Sequence, residues 1–151
     1  MNHLPSFLAI LFLAGCSASQ PLEVKQFQLR DQDPTTTDEP MVRMEKTRHL
    51  RGEVSMEERR NRLGQYYTLI WNDPNGAGNG EVELTFEYQQ GATASLVKRM
   101  VRRFPAAQTQ GAVEFAVIGD DYFKGGKVLA WKASLRRGGQ VLGTQQSYLW
   151  R

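Results

Sequence analysis

The chain has 151 residues and a formal net charge of +3, with 40% hydrophobic and 23% charged residues. This is the composition of one globular domain of ordinary size, which excludes collagen-like and broadly disordered classes. One cysteine and two histidines exclude an intrachain disulfide and the usual structural zinc sites, which need at least two cysteines.

Residues 1–20 contain no Lys, Arg, Asp or Glu, and Phe7-Leu8-Ala9-Ile10-Leu11-Phe12-Leu13 is an unbroken apolar run. A membrane-spanning helix needs about 20 such residues, so the run reads as the h-region of a secretory signal. Leu13-Ala14-Gly15-Cys16, which closes it, resembles the lipobox of bacterial lipoproteins. The resemblance implies that residues 1–15 are a cleaved signal peptide and that Cys16 opens the mature chain. Its sulfur would carry diacylglycerol and its amine a further acyl chain, such as palmitate. Each buried methylene contributes about 0.8 kcal/mol, and anchorage becomes stable once two chains are present. By the same resemblance Ser17, standing where Asp would mean inner-membrane retention, implies the outer membrane, facing the periplasm. The segment Met1-Asn2-His3 departs from the pattern in carrying no Lys or Arg. Residues 16–23 are then a lipidated tether and residues 24–151 a single domain.

In the domain, residues 24–30 read as a first strand with Lys25, Phe27 and Leu29 on one face. Residues 31–40, polar with two prolines, read as a loop. Residues 41–50 carry a weak strand pattern through Val42 and Met44. Ser55-Met56-Glu57-Glu58 fits a capping box, opening a short N-terminal helix that Gly64 would stop. From Tyr66 the period becomes two: Tyr67, Leu69 and Trp71 point one way, and after a turn-rich loop at 73–80, Val82, Leu84, Phe86 and Tyr88 alternate with polar residues. Residues 112–118, 127–136 and 140–150 read as later strands, with Leu129, Trp131, Ala133 and Leu135 on one face. Gly138-Gly139 supplies a tight hairpin between the last two. Residues 93–104 fit two readings: Leu96, Val97, Met100, Val101 and Phe104 recur at helical spacing, while the surrounding pattern asks for another strand. The fold expected is all-β, a β-sandwich of immunoglobulin or fibronectin type, on pattern alone since the immunoglobulin Cys-Trp-Cys signature is missing.

Few residues carry a chemical signature. His49 is the one histidine left after processing, and a base beside a nucleophile is most often His. It comes without a Gly-x-Ser-x-Gly elbow and reads as a surface or packing residue. Gly76-Ala77-Gly78-Asn79-Gly80 fails as a dinucleotide fingerprint because Glu81 stands where Gly is needed, and Gly125-Gly126-Lys127 fails as a P-loop because Val128 replaces Ser or Thr. Asp31, Asp33, Thr35, Thr37 and Glu39 alternate as in a calcium loop, but Thr36 and Val42 occupy the obligatory Gly and Glu positions. These read as turns and a solvated loop, and no cofactor or metal is expected. Glu83, Glu87, Asp120 and Asp121 are the carboxylates an envelope hydrolase would have to use.

Charge is uneven along the chain. After residue 90 ten basic residues face three acidic ones, leaving +7, while the preceding mature residues carry −4. Arg99, Arg102, Arg103, Arg136 and Arg137 form a candidate basic surface for anionic lipid or lipopolysaccharide, since an exported chain would not meet nucleic acid. Trp71 and Trp131 read as core, and Tyr148 with Trp150 as the closing of a last edge strand open to β-augmentation. The function expected is a non-catalytic binding or structural module of the cell envelope. Its partners would be the membrane, through its lipid, and an envelope protein or anionic envelope polymer.

Overall fold

The computed structural model describes residues 20–32, 38–93 and 95–151. The signal segment and Cys16 therefore lie outside the described residues, as do Asp33, Thr35, Thr36 and Thr37. The elements run β1 (Leu22–Leu29), α1 (Pro40–Leu50), α2 (Met56–Asn61), β2 (Gly64–Asn72), β3 (Val82–Gln90), β4 (Lys98–Phe104), β5 (Gln110–Ile118), α3 (Gly119–Gly125), β6 (Val128–Arg137) and β7 (Gln140–Gln146). The strands form two antiparallel sheets, β1-β2-β5 and β4-β3-β6-β7. The architecture is an all-β sandwich.

The core between the sheets follows the alternation. Tyr67, Leu69 and Trp71 of β2 meet Val82, Leu84, Phe86 and Tyr88 of β3, all at most 4% exposed. Phe86 sits centrally, 4.5 Å from the Tyr67 ring and 5.7 Å from that of Phe115. Aromatic pairs at such spacing add about 0.5–1.5 kcal/mol to the burial of their area. Leu129 departs from the expected face and is exposed. The pairing of β3 with β6 slips between Gln89 and Gln90, so Leu129 has no partner and is turned outward by a β-bulge.

Residues 98–104 form an edge strand. Met100 and Phe104 pack inward, while Val101 points outward opposite Thr85, so one apolar row becomes two half-rows on opposite faces. Arg102 lies on the inward face, opposite Leu84, yet stays exposed at the edge. A charge in that position discourages pairing with another chain.

Residues 40–50 form a helix instead of the expected strand. Pro40 fits the first turn, where a missing N–H costs nothing. The buried positions are Lys46, His49 and Leu50, one helical stripe, while Val42 and Met44, which carried the strand reading, are exposed. The helix covers part of the outer side of the β1-β2-β5 sheet, closing a second apolar cluster of Leu29, Leu50 and Tyr66 with Phe27 and Ile118. The capping box is present: Ser55 Oγ accepts from the Glu58 N–H and Glu58 accepts from the Ser55 N–H. Gly64, expected to stop α2, instead opens β2 at φ +149°, where a Cβ would overlap the Val117 carbonyl oxygen.

Residues 147–150 turn away from β7, held by the Ser147 N–H bond to the Trp131 carbonyl. Tyr148 is almost fully exposed. Gln145 accepts from the Val24 N–H at 3.0 Å and donates to the Leu22 carbonyl at 2.9 Å, bridging the two sheets.

Candidate functional site

The five arginines do not share a face. Arg99 and Arg103 lie on the outer side of the four-stranded sheet, where Arg99 Nη2 meets Glu87 at 2.9 Å and Arg103 Nε meets Glu83 at 3.0 Å. Arg136 shares that side, opposite Glu83 in register. Arg102 points to the opposite face. Arg137 is a correction to the surface reading. It is 4% exposed, with Nε 2.6 Å from Asp73 and its other nitrogens donating to the carbonyls of Gly80, Ala106 and Gln108. One planar fork thus joins the β2–β3 and β4–β5 loops, work that the shape of a guanidinium suits.

Each carboxylate in the hydrolase reading is engaged by a cation: Glu83 and Glu87 as above, Asp120 by Lys124 at 2.8 Å, and Asp121 by Lys98. Asp121 also accepts from the Tyr88 hydroxyl at 3.0 Å; burial, helped by this bond, pushes the Tyr88 phenol up. The Lys124 ammonium holds Asp120 below the usual carboxylate range. Asp31, from the supposed cation loop, and Asp38 hold the buried Lys46 ammonium at 2.7 and 2.8 Å, raising its pKa.

A hollow opens beside α1, on the outer side of the three-stranded sheet. Its outer surface is set by strand register: Lys25 of β1, Thr68 of β2 and Glu114 of β5 stand in one row, with Ile70 and Ala112 paired in the next. Helix α1 covers this sheet only at the Leu29 end, so a hollow of about 590 Å³ remains between these side chains and the helix wall of Glu45 and Arg48. Phe27 closes the end nearest the helix.

Arg48 governs the rim. Its Nη2 reaches Glu114 at 2.7 Å and its Nε reaches Glu45 at 2.9 Å, while the same Nη2 lies 3.0 Å from His49 Nε2. A guanidinium has no acceptor, so His49 Nε2 accepts and the ring proton sits on Nδ1, 3.8 Å from Glu114 Oε1. His49 is sandwiched between Tyr66 at 3.7 Å and Phe27 at 5.3 Å. Burial lowers its pKa, against the opposing pull of Glu114. Tyr66 is pushed up to about 12, mainly by the same burial. His49 is therefore a neutral packing residue that orients the Arg48 head.

Sequence reasoning missed this hollow, because its residues come from α1 and three strands, and the strand pattern singles out only Lys25 and Phe27 among them. Comparison with protein-family models, with curated proteins and with solved structures finds no match to this chain.

Proposed function

We propose that this is a lipid-anchored, non-catalytic binding module of a Gram-negative cell envelope, held through Cys16 at the outer membrane and facing the periplasm. The observation that carries the binding reading is the hollow beside α1: an apolar strip of Ile70, Ala112 and Phe27 rimmed by Lys25, Arg48 and Glu114. An apolar floor with a few placed charges suits a partner segment that inserts one apolar side chain and pairs its flanking polar groups with the rim. The engagement of all four candidate carboxylates by cations supports the non-catalytic side of the reading.

The sandwich is, in this proposal, of fibronectin type. In the constant-type immunoglobulin order the fourth strand joins the sheet of the first, second and fifth. Here β4 lies beside β3 in the other sheet, which supports the fibronectin alternative.

Two experiments test the proposal. Cys16→Ser should leave the precursor unprocessed or release the protein from membranes; normal maturation with unchanged membrane fractionation refutes the anchor. A photoreactive residue at Ala112 should give a discrete cross-linked envelope protein that Ile70→Asp abolishes. Equal labelling from Val101, on the outer side of the other sheet, refutes the hollow as the site.

A further inference from the structure

We propose that the outer side of the four-stranded sheet binds a phosphate monoester carried on a sugar, with Lys132 and Arg136 of β6 taking the phosphate. The site lies on the other sheet from the hollow beside α1 and needs neither that hollow nor a lipid anchor. Strand register builds its frame. Arg103, Glu83 and Arg136 stand in one row across β4, β3 and β6, and Arg99, Glu87 and Lys132 in another. Between them Val101, Thr85, Ser134 and Thr144 form a row rich in hydroxyls. The pairing of β6 with β7 slips between Leu135 and Arg136, and this bulge lets Val141 and Thr144, three residues apart, both face outward. The result is a depression of about 240 Å³ in which Arg99, Lys132 and Arg136 surround the three hydroxyls.

Its polar groups are largely uncommitted. Lys132 and Arg136 are in no ion pair among the described residues, and Arg136 makes a single bond, to the Gly139 carbonyl at 3.1 Å. The acid in the depression, Glu87, is engaged by Arg99 through Nη2 at 2.9 Å and Nε at 3.3 Å. Thr85 points to a ligand as well. It is only 6% exposed, yet its hydroxyl has no hydrogen bond among the described residues. The polar side-chain atoms sealed from solvent without a partner are Gln32 Oε1 and Trp71 Nε1, so the Thr85 hydroxyl opens into the depression. The Ser134 and Thr144 hydroxyls have no bond either. Buried hydroxyls are ordinarily paired. Three unpaired ones beside two uncommitted cations suit an oxyanion, which accepts from all of them.

The neighbouring depression says what carries the phosphate. Arg136 lines it too, together with Glu81, Glu83 and the Gly138-Gly139 hairpin. Glu81 and Glu83 approach Arg103 at 3.9 and 3.0 Å, and each carboxylate keeps lone pairs for further donors. Such acceptors suit the hydroxyls of a sugar and repel a second anion. The apolar side chain bordering the two depressions is Val141 alone, which leaves no floor for an acyl chain or an aromatic ring. With volumes of about 240 and 310 Å³, each depression stands at or below the small end of pockets that enclose a whole ligand. Joined at Arg136, one takes the phosphate and the other the sugar ring.

The test titrates the full chain, in a neutral detergent at low salt, with glucose 6-phosphate, inorganic phosphate or glucose while amide NMR shifts are followed. Glucose 6-phosphate should shift the Thr85, Ser134 and Gly138 amides saturably, inorganic phosphate should bind about tenfold more weakly, and glucose should leave them unmoved. Lys132→Gln and Arg136→Gln should each weaken the sugar phosphate about tenfold, the loss of one hydrogen bond to a charged group. Arg102→Gln removes the same charge from the other face of β4 and should change binding less than about threefold. Thr85→Val keeps the shape of the side chain and should weaken binding without lowering the urea midpoint, whereas a hydroxyl serving the fold alone would do the reverse. Unchanged urea midpoints of the Lys132 and Arg136 variants tie their losses to the site. No saturable shift at these amides, equal binding of inorganic phosphate or of glucose, or an equal loss in Arg102→Gln would overturn it.

Discussion

Arg136 and Arg137 are neighbours in sequence with opposite physical situations, and replacing each by methionine separates them. Arg137→Met keeps the hydrocarbon stem but removes the charge that faces Asp73, whose side chain is itself only 19% exposed. It also strips the donors from three loop carbonyls. Removing one partner of a buried ion pair costs about 3–5 kcal/mol, mostly because the other charge is left uncompensated. With a urea dependence of about 2 kcal/mol per molar, the unfolding midpoint should fall by about 2 M. Arg136→Met removes an exposed side chain with one bond to the Gly139 carbonyl and should stay within about 0.5 kcal/mol of the parent. A double-mutant cycle with Asp73→Ala should return a coupling of at least about 1 kcal/mol. An Arg137→Met protein less than about 1 kcal/mol below the parent would refute the claim that this fork holds the loops together.

Two further expectations follow from charges in the structure. His49 has its pKa lowered by burial, so on acidification the unfolded chain takes up a proton that the folded chain refuses. Stability should therefore fall as pH drops below about 6.5, by no more than about 1.4 kcal/mol per pH unit from this group. His49→Phe should remove that dependence, and urea melts at pH 7 and pH 5 that give the same slope for both proteins would contradict it. On the outer side of the four-stranded sheet, Arg99→Glu puts like charges opposite each other with Glu87 and should cost about 0.5–1 kcal/mol. Adding Glu87→Arg should restore most of it, and a double variant no more stable than the single one would show that the pair contributes nothing.

How much could be read in advance depended on where each side chain finds its partner. The β3 strand was legible because one face is buried and the other wet, so hydropathy alternates along it. The β4 strand was not, because Met100 and Phe104 are four residues apart, a spacing that helix and strand both place on one face, while Val101 escapes to the other side. Helix α1 was misread for a different reason. Its buried stripe is Lys46, His49 and Leu50, two of them polar, and each is stabilised by something hydropathy does not record: Asp31 and Asp38 around the lysine, two aromatic rings around the histidine. The capping box and the Gly138-Gly139 hairpin were legible because their bonds and backbone angles are local, the two glycines adopting φ +53° and +87°. The hollow beside α1 needs the register of three strands, which no short window of sequence contains.

The charge distribution carries the same lesson further. Part of the basic excess after residue 90 is neutralised, because β4 and β6 both pair with β3, which brings acids from the other half of the chain. Glu83 and Glu87 neutralise Arg103 and Arg99, and Asp73 draws Arg137 into the interior. The acidic half, meanwhile, spends carboxylates on holding helices in place: Asp31 and Asp38 on Lys46, Glu45 on Arg48, Glu53 on Arg62. What those bonds leave over is scattered: Arg43 and Arg51 on α1, Arg102 on the β4 edge, and Lys132 and Arg136 on the outer side of the four-stranded sheet are in no ion pair among the described residues. An anionic ligand sought with variants of Arg99 and Arg103 would therefore also report on the pairing of β3 with β4, whereas Arg102→Gln, in no ion pair among the described residues, would leave that pairing intact.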